Sequence, residues 1–156
     1  MQVIEFIDMD VVSLQETLLR VVLALAFGLV LGLERDRKNK PIDFRAYMIV
    51  AVTTCIVAIM GQELYSDYAQ ASDVVSLDLS KIISGVLTGI GFLGAGAIIK
   101  VEKDQIVGTA TGASIWASGG IGLCLGFGMY GLAGIGFVAI ALVLFGGGFL
   151  SKKDKT

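Results

Sequence analysis

Four charged residues in a row, Glu34-Arg35-Asp36-Arg37, close the first long apolar stretch of this chain, and Arg45 opens the second. Ionisable groups at the end of an apolar helix are costly to bury, so they reach for water or pair with one another. Glu34 sits near the C-terminal, negative end of its helix dipole, which disfavours a carboxylate. It therefore gains from a cation, and the expected partner is Arg45, shared with Arg35. Two ligand chemistries are open to this cluster. Arg35, Arg37 and Arg45, beside the N-termini of the second and fourth helices, could hold an anion such as phosphate. Glu34 and Asp36 could instead take a hydrated Mg²⁺. A solvated charge run at the membrane surface is the third reading, and the residue types do not choose among the three.

A second polar set lies further along. Thr111, Ser114 and Ser118 share a stripe of an otherwise apolar segment, with Trp116 among them. Hydroxyls in such a place bond across helices or back to a carbonyl. The alternative is that they line a solute path, together with Thr53, Thr54 and Thr88. Lipid favours neither this stripe nor the glycines beside it, so both are expected to face protein. Trp116, deep within its segment, is expected to be a packing wedge.

Other chemistries are poorly served. The chain has no histidine, which removes the usual proton shuttle near neutral pH and the commonest transition-metal ligand. Cys55 and Cys124 lie in apolar stretches without metal or redox spacing, and read as small packing residues. Two matches to G-x-G-x-x-G, at Gly89–Gly94 and Gly126–Gly131, lack the preceding strand and the following acid of a dinucleotide site. No phosphate-loop motif and no nucleophile–base pair is present. The expectation is a non-enzyme without a cofactor. A net charge of −2 over 156 residues points to no nucleic-acid partner.

The elements that must position these residues are membrane helices. The chain is 55% hydrophobic with a mean hydropathy of +0.82, and one span needs about 20 apolar residues. Five spans are expected, near residues 14–34, 44–62, 80–99, 108–127 and 130–150, making residues 1–156 a single all-α domain. Ser13-Leu-Gln-Glu16 reads as a capping box for the first. The last two spans, joined by Gly126-Phe-Gly-Met-Tyr130, form a tight hairpin. Residues 62–78 form a long connecting loop. The N-terminus lacks a basic leader and a cleavage site, so it does not read as a signal peptide.

Charge sorts between the two sides. Arg35, Arg37, Lys38, Lys40 and Arg45, then Lys100 and Lys103, then Lys152, Lys153 and Lys155 fall on one side. Glu5, Asp8, Asp10, Glu16, Glu63, Asp67, Asp73 and Asp78 fall on the other, where Arg20 and Lys81 are expected to snorkel. The positive-inside rule then sets the N-terminus outside and the C-terminus in the cytoplasm.

Glycine is dense only inside the apolar stretches. It weakens a helix by about 1 kcal/mol relative to alanine, yet in a bilayer it lets backbones touch. Ala24, Gly28 and Gly32 share one face of the first span, and Gly85, Gly89, Phe92 and Gly96 one face of the third, where Gly91 and Gly94 also lie. Gly108, Gly112, Gly119, Gly122 and Gly126 line the fourth. All are expected to pack helix on helix. A surplus small-residue face could serve a homodimer.

Four stretches in order carry a family resemblance: Gly32-Leu-Glu-Arg35, Phe44-Arg-Ala46, Gly89-Ile-Gly-Phe-Leu-Gly-Ala-Gly96 and Gly108-Thr-Ala-Thr-Gly-Ala-Ser-Ile-Trp116. From about Leu18 to Leu150 the chain resembles the MgtC/SapB family of bacterial inner-membrane proteins. The resemblance implies a five-helix transmembrane domain and a role in growth at low Mg²⁺ and in survival of pathogens inside host cells. It also implies action on another membrane complex, as one member restrains the membrane ATP synthase. The chain departs from the family at Phe44-Arg45-Ala46, where Leu-Arg-Thr is usual, and at Ala110, where a polar side chain is usual. It is expected to hold the transmembrane domain without the soluble C-terminal domain of longer members. A small dimeric transporter or channel for Mg²⁺ or phosphate is the alternative function.

Overall fold

The computed structural model describes residues 11–38, 42–71, 78–100 and 105–150, with side chains described except at 68–71 and 147–150. Five helices account for most of it: α1 Leu14–Arg37, α2 Phe44–Ala71, α3 Leu79–Gly96, α4 Thr109–Gly126 and α5 Tyr130–Leu150. Three are long and apolar enough to cross a membrane, over Leu14–Arg37, Phe44–Asp67 and Leu79–Gly96. Pro41 and the charges at Glu5, Asp8, Asp10, Lys40, Asp73, Lys103, Lys152, Lys153 and Lys155 lie outside the described residues.

Each expected span has its helix, with two corrections. α2 continues to Ala71 instead of ending near 62, because Gln62, Glu63 and Leu64 are good helix formers. Much of the expected loop is therefore helix. α3 ends at Gly96, and Ile99 belongs to a short strand instead. Ile99–Lys100 (β1) pairs antiparallel with Ile106–Val107 (β2), Ile99 opposite Val107. β-Branched residues favour that extended backbone.

The helix ends follow local chemistry. Ser13 Oγ accepts the Glu16 N–H at 3.3 Å, which is half of the expected capping box. The Glu63 carboxylate accepts the N–H groups of Val11 and Val12, at 3.1 and 2.8 Å, and so ties the entry to α1 to the far part of α2. After α4 the chain reverses in a Schellman motif. Gly128 stands at φ 72°, its N–H bonds Leu125 O at 2.9 Å, and the Met129 N–H bonds Cys124 O at 2.8 Å. That geometry makes the expected hairpin of α4 and α5.

α2 lies between α1 and α4 at backbone contact. A Cβ added at Gly28 would stand 2.9 Å from Tyr47 O, and one at Gly32 would stand 2.7 Å from Phe44 O. On the other side, Gly122 and Gly126 leave no room for a Cβ against Ala51 and Cys55. Gly94 of α3 crosses Gly112 of α4, where a Cβ on Gly94 would meet Gly112 O at 2.9 Å. Gly119 faces Ile90 and Val50, and Gly108, at φ 92°, lies against Ala97 O. Phe27 of α1 stacks on Phe137 of α5 with ring centroids 4.3 Å apart. Gly85, Gly89, Gly91 and Gly96 break the expected pattern. Among the described residues nothing beyond their own helix backbone lies within 4 Å of a Cβ at any of them, and Phe92 on their face is 81% exposed. α4 already occupies the contact that these glycines would need, and it meets α3 through Gly94.

Gly32→Val and Gly122→Val should lower the unfolding midpoint of the detergent-solubilised protein, since overpacking costs about 1–3 kcal/mol and backbone cannot yield. Gly85→Ala and Gly89→Ala should hold or raise it, because alanine is about 1 kcal/mol better than glycine in a helix. Equal losses at all four positions would show that α3 is packed like α1.

Candidate functional site

At the end of α1 the helical stripe that carries Gly28, Leu31 and Gly32 against α2 also carries the last-turn charges inward. Glu34 and Arg35 are both buried, their side chains 2% and 7% exposed. Arg35 Nη1 stands 3.5 Å from Glu34 Oε2, and Lys38, one turn on, forms an ion pair with Glu34 Oε1. Arg35 Nη2 reaches Thr111 Oγ1 of α4 at 3.5 Å. Lys38 Nζ also donates to Leu144 O of α5 at 2.8 Å, which links α1 to α5. Tyr47 of α2, wholly buried, completes the layer: its hydroxyl lies 3.0 Å from Ser114 Oγ. Ser114 donates to Thr111 O at 2.9 Å, and Ser118 to Tyr47 O at 2.9 Å.

The cluster is paired in charge but poorly bonded. Among the described residues, neither Glu34 oxygen accepts a directed hydrogen bond, and the Arg35 Nε–H finds no acceptor. Glu34 is held by its ion pairs to Arg35 and Lys38. Buried pairs of this kind return little beyond their desolvation cost, while loss of one partner is severe.

The structure thus unites Glu34, Arg35, Thr111 and Ser114. It separates the other candidates from them. Arg45 does not meet Glu34: it is exposed and pairs with Asp43, donating from Nε to Oδ2 at 2.8 Å, while its N–H bonds Asp43 Oδ1 at 2.8 Å. Lys38 is closer to Glu34 because it lies at i+4 on the same helix. The Arg45 hydrogen bonds hold the Asp43 carboxyl below its ordinary pKa, so this pair persists when the medium is mildly acidified. Asp36 and Arg37 are exposed, so Asp36 does not share Glu34's buried layer. Trp116 is 47% exposed and is not a wedge, since Ile115 and Ser114 take the inward positions beside it.

Arg20 is a further correction. It is buried at the opposite end instead of snorkelling. Its Nη1 donates to Gly126 O at 2.6 Å, and its Nε and Nη2 reach Glu16 Oε1 at 3.2 and 3.1 Å. Tyr130 also bonds Glu16, and Gln62 Nε2 donates to Gly126 O at 2.7 Å. A cation here satisfies the last carbonyls of α4 and complements its dipole. Glu16 and Arg20 at i, i+4 inside an apolar run were the sequence signal. Tyr47, two residues past Arg45, gave none beyond its polar tip.

A family model for the MgtC family matches residues 21–153, which hold the Glu34–Arg35 cluster and begin just after Arg20. The chain belongs to the MgtC family. Its MgtC-family relatives include an uncharacterised protein of Haemophilus influenzae, 42% identical over 124 residues, which are 80% of this chain and 49% of that protein. Protein SapB of Bacillus subtilis is 33% identical over 80% of this chain and 51% of its own length. YhiD of Escherichia coli, named as a candidate magnesium transporter, is 36% identical over 83% of this chain and 59% of its own. The chain therefore spans about half the length of the curated relatives it matches. No solved structure matches it. MgtC-family membership and the three apolar helices make this a membrane protein.

Arg35→Met should destabilise the solubilised protein by about 3–5 kcal/mol, because Glu34 keeps only Lys38. The double variant Glu34→Gln with Arg35→Met should recover part of that loss in thermal unfolding. Arg45→Ala should leave the midpoint unchanged. A loss at Arg45 matching that at Arg35 would restore the Glu34–Arg45 pairing.

Proposed function

We propose that this chain forms a five-span bundle in the bacterial inner membrane, N-terminus outside and C-terminus cytoplasmic. It serves magnesium homeostasis by contacting another membrane complex instead of moving an ion by itself. The observation that carries this reading is the closed middle of the bundle. α2 and α4 touch through backbone at Ala51–Gly122 and Cys55–Gly126. The buried hydroxyls there are engaged by protein: Thr54 bonds Ala51 O at 3.1 Å, and Ser114 and Ser118 bond Thr111 O and Tyr47 O. Thr53 and Thr88 stand outside, exposed. Those five side chains do not line one common path.

A contact surface is at hand in α3. Two outer helices differ in composition. α5 exposes Leu132, Ile135, Val138, Leu142 and Val143, as a lipid-facing helix does. α3 exposes Phe92 and Leu93 too, but beside them Ser84, Gly85, Thr88, Gly89 and Gly96. Small and hydroxylated residues suit another helix better than lipid, which supports docking of a partner, or of a second copy as a homodimer, along α3.

A second reading, a small dimeric transporter of Mg²⁺ or phosphate, draws on the buried Glu34–Arg35 pair and on the name of the Escherichia coli relative. Intramembrane charges often mark ion paths. Liposomes holding the purified chain separate the two. With a trapped Mg²⁺ indicator, and separately with labelled phosphate, flux should equal that of empty liposomes. Flux well above that background, and lost in Glu34→Gln, would replace the first reading with the second.

A further inference from the structure

Grooves run along the outside of the bundle. One of about 390 Å³ lies between α1 and α2 and is walled by Leu25, Met48, Ile49, Val52 and Thr53, with Arg45 at one end. A second of about 330 Å³ lies between α4 and α5, and a third of about 300 Å³ between α2 and α3. Neither of these has a charged side chain in its wall. We propose that the α1–α2 groove is a site for one anionic phospholipid, with an acyl chain along Leu25, Met48 and Val52 and the phosphate on Arg45.

Three features fit this occupant. The first is length. From Arg45 to Thr53 the groove follows nine residues of α2, about 12 Å of helix. That is close to the depth of one leaflet in a hydrocarbon core of about 30 Å. An acyl chain hanging from a headgroup at Arg45 matches it.

The second is the guanidinium. Arg45 is the exposed charge at the groove mouth, its side chain 74% exposed. Asp43 takes its Nε and Nη2 and also accepts the Arg45 N–H. The side chain is thereby held in one orientation. Nη1 has no protein acceptor among the described residues. A planar guanidinium with a free edge is suited to a phosphate oxygen. Asp43 already caps the start of α2, so the anion contact rests on the side chain alone.

The third is charge balance. From Glu34 to Arg45 the sequence has Arg35, Arg37, Lys38, Lys40 and Arg45 against Glu34, Asp36 and Asp43. This excess of two cations favours an anionic headgroup over a zwitterionic one. Basic pockets between helices at the membrane surface bind such lipids. The site requires that the helices span a bilayer, and it stands whether or not the protein regulates a partner or carries an ion.

Native mass spectrometry of the full chain in detergent tests the proposal, with phosphatidylglycerol, phosphatidylcholine and inorganic phosphate offered in separate arms. The wild type should retain one phosphatidylglycerol several-fold more often than phosphatidylcholine, and excess inorganic phosphate should not displace it. Arg45→Ala should lower retention to the phosphatidylcholine level, as should Leu25→Trp, which fills the groove. Ala139→Trp, in the uncharged α4–α5 groove, should leave retention as it was. Arg45→Gln serves if Arg45→Ala does not fold. Unchanged retention in the Arg45 variant, no preference between the two lipids, or loss in Ala139→Trp would overturn the proposal. Displacement by inorganic phosphate would also overturn it, in favour of a free-anion site.

Discussion

The backbone of α2 approaches those of α1 and α4 more closely than any Cβ would allow, and the rest of the molecule is arranged around that fact. Gly28 and Gly32 admit it on one side, Gly122 and Gly126 on the other. In lipid no hydrophobic force drives helices together, so close van der Waals contact must. The approach has a chemical consequence. With backbones this near, the carbonyl of Tyr47 comes within reach of Ser118 and its hydroxyl within reach of Ser114, and polar side chains can be buried against one another. The hydroxyls thus follow from the glycines. They satisfy positions that larger side chains would have kept apart.

Each end of the bundle holds a buried arginine, and the two are solved differently. Arg20 has acceptors at hydrogen-bond distance in Gly126 O and Glu16. Its cost of burial is offset by bonds that close the α4 terminus. Arg35 has long contacts, at 3.5 Å, to Glu34 and Thr111, and its Nε has no acceptor among the described residues. Unanswered buried groups are rare in settled structure. The Arg20 end is therefore a structural joint, whereas the Glu34 end keeps unsatisfied polarity. Lys38 makes the difference sharper, since its bond to Leu144 O connects that polarity to α5.

Much of this architecture was legible in the sequence because a bilayer narrows the choices. Only helices can satisfy their own backbone there, so the apolar stretches had to be helices. The burial of Thr111, Ser114 and Ser118 followed from what lipid rejects. Pairings were harder to read. Depth alone suggested that Glu34 would meet Arg45, yet depth says nothing of azimuth, and Arg45 turns outward toward Asp43. The i+4 relation to Lys38 was the better guide, because it fixes both. The same blindness to azimuth placed Gly85 and Gly89 in a helix contact. Two helices with similar glycine spacing cannot both own the same neighbour, and α4 occupies that place through Gly112.

What α4 leaves uncovered then gains meaning from contrast. α3 and α5 are both outer helices, but α5 shows mainly branched aliphatic residues, whereas α3 shows glycine and hydroxyls beside Phe92 and Leu93. If lipid alone faced both, composition would have no reason to differ. The grooves divide in the same manner: those beside α3 and α5 are uncharged, and the one between α1 and α2 ends in an anchored guanidinium. The outer faces thus differ in what they offer a neighbour. The buried, under-bonded Glu34 layer sits where such contacts at α1, α2, α4 or α5 would be felt first, since each of those helices contributes an atom to it.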